Sequence, residues 1–175
     1  MKENSKVSVR MSSIHGKGVF ANHKIRKGER ILEIDDSRVV DDENPLNPNY
    51  KDDHHCDYLA NGKVVLMQPP ERYINHSCNP NVFALLIDNK RYIYARRDIS
   101  VGEELTFDYC IDSGGDVVWE CNCGSPRCRK TIHSDFFHLP LDLQFEYFPL
   151  LSEWFIEENK EKIEELRYKM SISTS

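Results

Sequence analysis

The chain has 175 residues, which is enough for one domain with a hydrophobic core that needs no disulfide bonds. Its formal net charge of −6 argues against general nucleic-acid binding, which requires a basic surface, and would suit a basic partner such as a lysine-rich peptide. The sequence has no apolar run long enough to cross a membrane and no apolar segment of a secretory signal, so it predicts an intracellular protein, cytoplasmic or nuclear, with no membrane association.

Short strands separated by turns are predicted for the first two thirds of the chain. Val7, Val9 and Met11 alternate with polar residues, a pattern typical of a half-buried strand. Apolar runs predict further strands at 31–34, 64–66, 82–87 and 92–95. The last two runs are separated only by Asp88-Asn89-Lys90, which predicts a hairpin.

Two short segments, 25–31 and 99–105, are similar in sequence, and each has a glycine shortly before a predicted strand. Glycine allows the positive φ that many tight turns need. The segments are too short for a repeat architecture, so we interpret them as two equivalent turns.

The polar segment between Asp35 and Asp57 is acidic and rich in Pro and Asn, which predicts a loop or a poorly ordered insert. From Leu141 to Met170, by contrast, apolar residues recur at roughly helical spacing. Pro149 is expected to break this stretch into two pieces. An amphipathic helical tail packed on the strand core is the favoured interpretation; the alternative is a face for a partner or for self-association.

Three cysteines lie close together in the segment Cys121-Asn122-Cys123-Gly124-Ser125-Pro126-Arg127-Cys128, where a glycine and a proline supply tight turns. A structural zinc ion takes four sulfur or nitrogen ligands, so a fourth must come from elsewhere. The candidates are Cys56, Cys78, Cys110 and His133. In a reducing compartment the six cysteines are expected to be thiols or metal ligands.

Four segments, in chain order, resemble the SET domain of protein-lysine methyltransferases. They are Gly16-Lys17-Gly18-Val19-Phe20-Ala21, then Arg72-Tyr73-Ile74-Asn75-His76-Ser77-Cys78-Asn79-Pro80-Asn81, then Gly102-Glu103-Glu104-Leu105-Thr106-Phe107-Asp108-Tyr109, and finally the cysteine cluster with Arg129 after it. A Gly-x-Gly turn alone is weak, whereas the second segment is highly specific. The cysteine cluster resembles the family's post-SET segment, and no cysteine-rich pre-SET segment precedes residue 6 in this sequence.

The resemblance implies a mainly β fold with some α structure. Small curved antiparallel sheets form a knot-like core that brings the second and third motifs together, and a helical tail follows. The expected divisions are a SET domain at 6–110, a post-SET zinc-binding segment at 117–133 and a C-terminal helical tail at 134–175. The resemblance also implies the ligands of a structural zinc ion, Zn2+, which are Cys78, Cys121, Cys123 and Cys128. Cys56 and Cys110 are then interpreted as structural.

The activity implied by the resemblance is methyl transfer from S-adenosyl-L-methionine to the amine of a lysine in a protein substrate, a histone or another basic protein. Tyr109 matches the family's active-site tyrosine, which orients the amine. Phe107 matches the position that sets the number of methyl groups, where phenylalanine favours di- or trimethylation. Tyr58 is a candidate second tyrosine of the lysine channel; an ordinary strand tyrosine is the alternative.

Cofactor binding is also implied for residues of the first three motifs. The turn around Lys17 is expected to bring its backbone close to the amino-acid end of the cofactor, an approach that a missing Cβ permits. Arg72 is a candidate contact for the cofactor carboxylate, and a surface salt bridge is the alternative. The implied cofactor-binding residues are Gly16, Lys17, Gly18, Arg72, Asn75, His76 and Tyr109.

Two other hypotheses fit parts of the sequence. A non-catalytic SET-like scaffold that binds a protein through its tail would be favoured by loss of Tyr109 or of the Asn75-His76 pair, all of which are present. A zinc-stabilised nucleic-acid module would need a basic surface and a second metal-binding pair. We therefore expect an enzyme whose partner is a lysine-containing protein, with no direct nucleic-acid partner.

Overall fold

The structure is a computed structural model that describes residues 6–50 and 55–173. Residues group into two compact units. One comprises the chain up to Asp108 together with Asn122–Arg129, and the other comprises Tyr109–Cys121 and the chain from Lys130 onward. The expected insert at 35–57 lies partly outside the described residues, at 51–54, and so do the last two residues of the expected tail.

Three small sheets are found among the described residues of the first unit, in agreement with the small sheets that the family resemblance implies. The four-stranded sheet has the order β1 (Val7–Met11), β2 (Lys17–Ala21), β10 (Glu104–Phe107) and β7 (Asn75–His76). The second sheet has the order β3 (Arg30–Glu33), β9 (Lys90–Ala95) and β8 (Val82–Ile87), and the third has β4 (Val39–Val40), β6 (Val64–Leu66) and β5 (Cys56–Tyr58). The strands pair antiparallel except β7 and β10, which are parallel.

The predicted hairpin is formed by β8 and β9. Asp88 and Asn89 both have positive φ, 50° and 60°, as a tight two-residue hairpin turn requires. Lys90, which the sequence pattern places in the turn, is the first residue of β9 and pairs with Ile87.

The two segments that resemble each other are turns that pair with one another. Gly28 and Gly102 both have φ of 78°. Ile25 and Ile99 exchange backbone hydrogen bonds of 3.0 Å and 2.9 Å, and both side chains are fully buried. They belong to the apolar core of this unit, which also contains Val19, Ile93 and Leu105. Burial of such side chains from water is the main favourable term in folding.

Arg91 connects the acidic insert to strand β9 within the first unit. Its guanidinium lies 2.6 Å and 2.8 Å from the two carboxylate oxygens of Asp36, and it also pairs with Asp57 in β5, an edge strand of the third sheet. The insert is therefore more ordered than the loop that the sequence predicts, at least within its described residues.

A two-stranded ribbon and three helices form the second unit. The ribbon pairs β11 (Gly114–Glu120) with β12 (Thr131–Asp135). The helices are α1 (Leu141–Tyr147), α2 (Glu153–Glu158) and α3 (Lys160–Ser173). Pro149 lies in a short 3-10 turn between the first two helices, which confirms the predicted break, and a further break occurs at Asn159. The predicted apolar stripe is buried at Leu143, Tyr147, Phe155, Ile163 and Leu166.

Candidate active site and metal centre

The second and third motifs lie side by side as the parallel strands β7 and β10. Asn75 pairs with Thr106, and His76 pairs with Phe107. The second motif then curls around β10, because Asn81 Oδ1 accepts a hydrogen bond from Thr106 N at 2.8 Å while Asn81 N donates to Thr106 O at 3.1 Å. Asn81 is buried, so these bonds satisfy its polar atoms inside the protein.

The turn that carries Gly16 and Gly18 is held by Asn75 and Glu104. Asn75 Nδ2 lies 3.1 Å and 2.9 Å from the carbonyl oxygens of His15 and Lys17. The same amide donates to Glu104 Oε1 at 2.8 Å, and Ser12 Oγ donates to that carboxylate at 2.8 Å. Asn75 therefore stabilises the backbone of this turn through its side-chain amide.

Two glycines of this turn are required for different reasons. Gly16 has φ of 47°, a left-handed conformation that other residues rarely adopt. A Cβ on Gly18 would collide with the carboxylate of Glu104 and lie 3.0 Å from Ser12 Cβ. The absence of a Cβ at position 18 thus has a structural reason within the protein, in addition to the close cofactor approach expected from the sequence.

Two of the predicted cofactor-binding cations meet at Tyr73. The Lys17 ammonium lies 5.1 Å from the centroid of the Tyr73 ring, and the Arg72 guanidinium carbon lies 5.7 Å from it. Both distances are within the range of a cation–π contact. The two positive charges make this part of the first unit suitable for an anionic group such as a carboxylate.

His76 is buried next to a carboxylate and a guanidinium. Its Nδ1 lies 3.7 Å from Asp108 Oδ1, and Arg129 Nη2 lies 2.8 Å from both oxygens of the same carboxylate. Burial lowers the pKa of His76 to about 4, although Asp108 acts in the opposite direction. The imidazole is therefore neutral at physiological pH.

Four cysteines come together at the candidate metal centre. The Sγ atoms of Cys78, Cys121, Cys123 and Cys128 all lie within 4.8 Å of one another, an arrangement that could hold a metal ion. Cys78 and Cys121 are buried, and the other two are half-buried. Gly124, with φ of 70°, makes the turn between the second and third of the clustered cysteines. The structure thus groups the four residues that the resemblance implied.

The other candidates for a fourth ligand lie elsewhere. Cys110 Sγ donates to the carbonyl oxygen of His133 at 3.1 Å, within the second unit. Cys56 is the first residue of β5. Cys78, by contrast, accepts a hydrogen bond from the Arg129 backbone amide, with N and Sγ 3.4 Å apart.

The three candidate catalytic residues have different environments. Phe107 is half-buried at the end of β10 and packs against the apolar core of the first unit. Tyr109 is 46% exposed, and its ring centroid lies 6.3 Å from that of Trp119 on β11. Tyr58 is 68% exposed on β5, an edge strand of the third sheet rather than a member of the sheet that carries Phe107.

Several residues that the structure places around these motifs have no role predicted from the sequence. Two adjacent glutamates such as Glu103 and Glu104 normally indicate a solvated surface, and Trp119 gives no signal beyond its size. Asp108 and Arg129 belong to the segments that resemble the family, but the resemblance implies no role for either. A polar residue inside a specific motif is the one signal that could have marked Glu104 and Asp108.

Comparison with known proteins identifies the family. The family model described as "SET domain" matches residues 16–110. A histone-lysine N-methyltransferase, H3 lysine-4 specific, of Schizosaccharomyces pombe is 36% identical over 67% of this chain, and the H3 lysine-36 specific enzyme of Candida albicans is 32% identical over 74%. Histone-lysine N-methyltransferase set1 of Dictyostelium discoideum is 32% identical over 73% of this chain. The chain belongs to the SET-domain family.

The chain spans only a small part of these relatives, 14%, 17% and 9% of their respective lengths. A solved structure of a candidate histone methyltransferase of Plasmodium falciparum has the same fold, with a TM-score of 0.50 and 23% sequence identity. The aligned region covers 61% of this chain and 95% of the chain in that structure. Over the residues that the structure describes, no helix combines the length and the apolar character needed to cross a membrane.

Proposed function

We propose that this SET domain transfers a methyl group to the side-chain amine of a lysine in a protein substrate. The observation that carries the proposal is the parallel pairing of β7 with β10. This pairing places Asn75 beside Thr106 and His76 beside Phe107. Tyr109 follows two residues after Phe107. Membership of the SET family, whose relatives named above are histone-lysine methyltransferases, supports the same activity.

The chemistry requires a neutral lysine amine. Lysine has an unperturbed pKa of ~10.4, so at pH 7 only about one amine in 2,500 is neutral, a cost of roughly 4.6 kcal/mol. A narrow apolar channel lowers this cost because it disfavours the ammonium form. The protein otherwise acts mainly by alignment of the reacting atoms, with Tyr109 orienting the amine.

S-adenosyl-L-methionine supplies the methyl group when it is bound. The two cations near Tyr73, Lys17 and Arg72, favour binding of its carboxylate, and the turn held by Asn75 offers backbone groups to its amino-acid end. His76, neutral and buried, adds no positive charge beside a sulfonium. No side-chain nucleophile is needed in this scheme.

The metal centre fits zinc. Four thiol sulfurs within 4.8 Å of one another match the four-sulfur, tetrahedral coordination of structural zinc sites. Four protein ligands leave no open position, so a zinc ion held by Cys78, Cys121, Cys123 and Cys128 would be structural rather than catalytic.

The substrate proposed is a histone or another basic protein. The net charge of −6 favours a lysine-rich partner over a nucleic acid. The relatives differ in the histone lysine that their names specify, lysine 4 in one and lysine 36 in another, so family membership leaves the target lysine open. Such substrates are found in the nucleus and the cytoplasm, where we expect this protein to act.

Labelled S-adenosyl-L-methionine and a panel of lysine-rich proteins test the activity. We expect label transfer to at least one of them, and binding of S-adenosylhomocysteine by calorimetry. Tyr109→Phe should reduce turnover by at least about 100-fold, since it removes an orienting hydroxyl, while analogue binding persists. The absence of both transfer and analogue binding in the wild-type protein would contradict the proposal.

We also propose that Phe107 permits di- or trimethylation, because phenylalanine leaves room that a tyrosine hydroxyl and its bound water would occupy. Phe107→Tyr should shift the products toward monomethyl-lysine with little loss of the first transfer. Mass spectrometry of the product after exhaustive reaction measures this. A wild-type enzyme that stops at one methyl group would show that the assignment of Phe107 is wrong.

A further inference from the structure

Arg129 joins the cysteine cluster to the third motif through a buried ion pair. Its Nη2 lies 2.8 Å from both carboxylate oxygens of Asp108. The Asp108 side chain is completely buried, and that of Arg129 is 13% exposed. A carboxylate in such a place needs a cation, because an unpaired buried charge is strongly unfavourable.

The arginine side of this pair is fixed by the cluster. Arg129 directly follows Cys128, and its backbone amide donates to Cys78 Sγ, with N and Sγ 3.4 Å apart. Both ends of Arg129 are therefore held, the backbone by a cysteine sulfur and the guanidinium by Asp108.

The carboxylate side of the pair lies within the candidate active-site motif. Asp108 separates Phe107 from Tyr109 in the sequence, and its Oδ1 lies 3.7 Å from His76 Nδ1. His76 is itself on the strand that pairs with Phe107. One carboxylate thus contacts both the arginine of the cluster and the histidine of the second motif.

We propose that Arg129 is a positioning residue for methyl transfer, acting through Asp108 on His76 and on the chain that leads into Tyr109. This inference rests on the proposed methyltransferase function. Arg129 does not touch the reacting atoms; it holds the carboxylate that orients the residues that do. A guanidinium suits this task better than an ammonium, because it is more weakly hydrated and is therefore the cation preferred for buried ion pairs; here its Nη2 alone contacts both oxygens of Asp108.

The test compares Arg129→Gln and Arg129→Lys with Arg127→Gln, a matched control that removes an exposed arginine from the same segment. Zinc content and thermal unfolding report on the fold, calorimetry with S-adenosylhomocysteine reports on binding, and steady-state kinetics separate kcat from the KM of the peptide. The measurements are made well below the unfolding temperature of each variant.

We expect Arg129→Gln to keep its zinc while its affinity for S-adenosylhomocysteine and its kcat each fall at least tenfold, with the peptide KM nearly unchanged. Arg129→Lys should recover part of both losses, and Arg127→Gln should match the wild type. A purely structural role would lower the unfolding temperature and leave affinity and kcat intact, which would overturn the proposal.

If Arg129→Gln does not fold, the double variant Asp108→Asn with Arg129→Gln replaces it, since a neutral pair removes the uncompensated charge. That variant should fold and still show the loss of affinity and kcat; wild-type values would contradict the proposal, and so would failure of both variants to fold. A wild-type protein that binds no analogue and transfers no label would instead refute the methyltransferase function itself.

Discussion

The Glu104 side chain lies directly against Gly18, in the turn that begins the first motif. The Glu104 carboxylate accepts hydrogen bonds from Asn75 and Ser12, and it occupies the space where a Cβ of residue 18 would lie. Because that carboxylate is fixed by two donors, it cannot easily move aside. A side chain at position 18 would therefore have to displace this carboxylate and disturb both of its hydrogen bonds.

Gly18→Ala should destabilise the protein by about 1–3 kcal/mol, the usual cost of forcing extra atoms into a filled site. It should also weaken binding of S-adenosylhomocysteine, because the displaced turn is a candidate cofactor contact. Urea unfolding and calorimetry measure the two effects. Gly114→Ala is the control, since Gly114 has open space around its Cβ position, and we expect a change within about 0.5 kcal/mol. Equal effects of the two substitutions would contradict this explanation.

At the scale of single residues, the sequence predicted those that lie inside specific motifs. Asn75, His76 and Cys78 could be selected because few unrelated proteins contain that run. Arg129 and Glu104 could not, because their contacts are with residues far away in the sequence, Asp108 and Asn75, and nothing in the local pattern of either residue marks the pairing. Trp119 was missed for the same reason, since only the fold brings its ring close to Tyr109.

At the scale of elements, the insert between β3 and β6 is held by an arginine in addition to the pairing of its strands β4 and β5 with β6. Arg91 is only 14% exposed and pairs with Asp36 and Asp57, which lie near the two ends of the insert. An arginine that bridges two carboxylates can order a polar segment that has few apolar contacts of its own. Since Asp57 precedes the candidate channel residue Tyr58, this tie also bears on the position of β5.

Arg91→Met should destabilise the protein by about 2 kcal/mol, below the cost of breaking a fully buried pair because Asp57 is partly exposed. Hydrogen exchange should accelerate in β4 and β5. Lys90→Met is the matched control, because the neighbouring Lys90–Glu33 pair is exposed, and we expect it to leave hydrogen exchange in β4 and β5 unchanged. If exchange in β4 and β5 is unchanged in Arg91→Met, the charge tie does not order the insert.

Elements were predicted well where apolar and polar residues alternate or where apolar runs end at turn residues. β8 and β6 match the predicted ranges, and β8 lies directly between two such residues, Asn81 and Asp88. β11 was missed because Val117 and Val118 are consecutive and exposed, so the strand has no buried face to produce alternation. The break at Asn159 was also missed, because no proline or glycine marks it.

At the scale of the whole molecule, removal of zinc should affect more than the cysteine cluster. Structural zinc sites contribute directly to folding free energy. We expect chelation, or Cys78→Ser, to disorder residues 121–132 and to weaken binding of both S-adenosylhomocysteine and the substrate. Hydrogen exchange and calorimetry measure this, and Cys56→Ser, outside the cluster, should retain its zinc. Full analogue binding after complete zinc removal would show that the coupling is wrong, although the methyltransferase proposal could stand.

The family resemblance predicted the overall architecture, which pattern alone could not do. Periodicity indicates strands and helices but does not say which strands pair, and the parallel pairing of β7 with β10 joins two very short strands that carry almost no pattern. The ordered motifs supplied that information. The boundary at Asp108, and the grouping of Asn122–Arg129 with the first unit, had no sequence signal.

The mutual pairing of Ile25 with Ile99 has a consequence for how fast the chain folds. These residues meet across most of the first unit's sequence, and Phe20 similarly pairs with Glu104. Contacts between distant residues must overcome loop-closure entropy before they stabilise anything, so proteins that depend on them fold slowly. Until residues near 99–107 emerge during synthesis, β2 has only β1 beside it and Ile25 lacks its pairing with Ile99, which makes the nascent N-terminal half a candidate for chaperone binding.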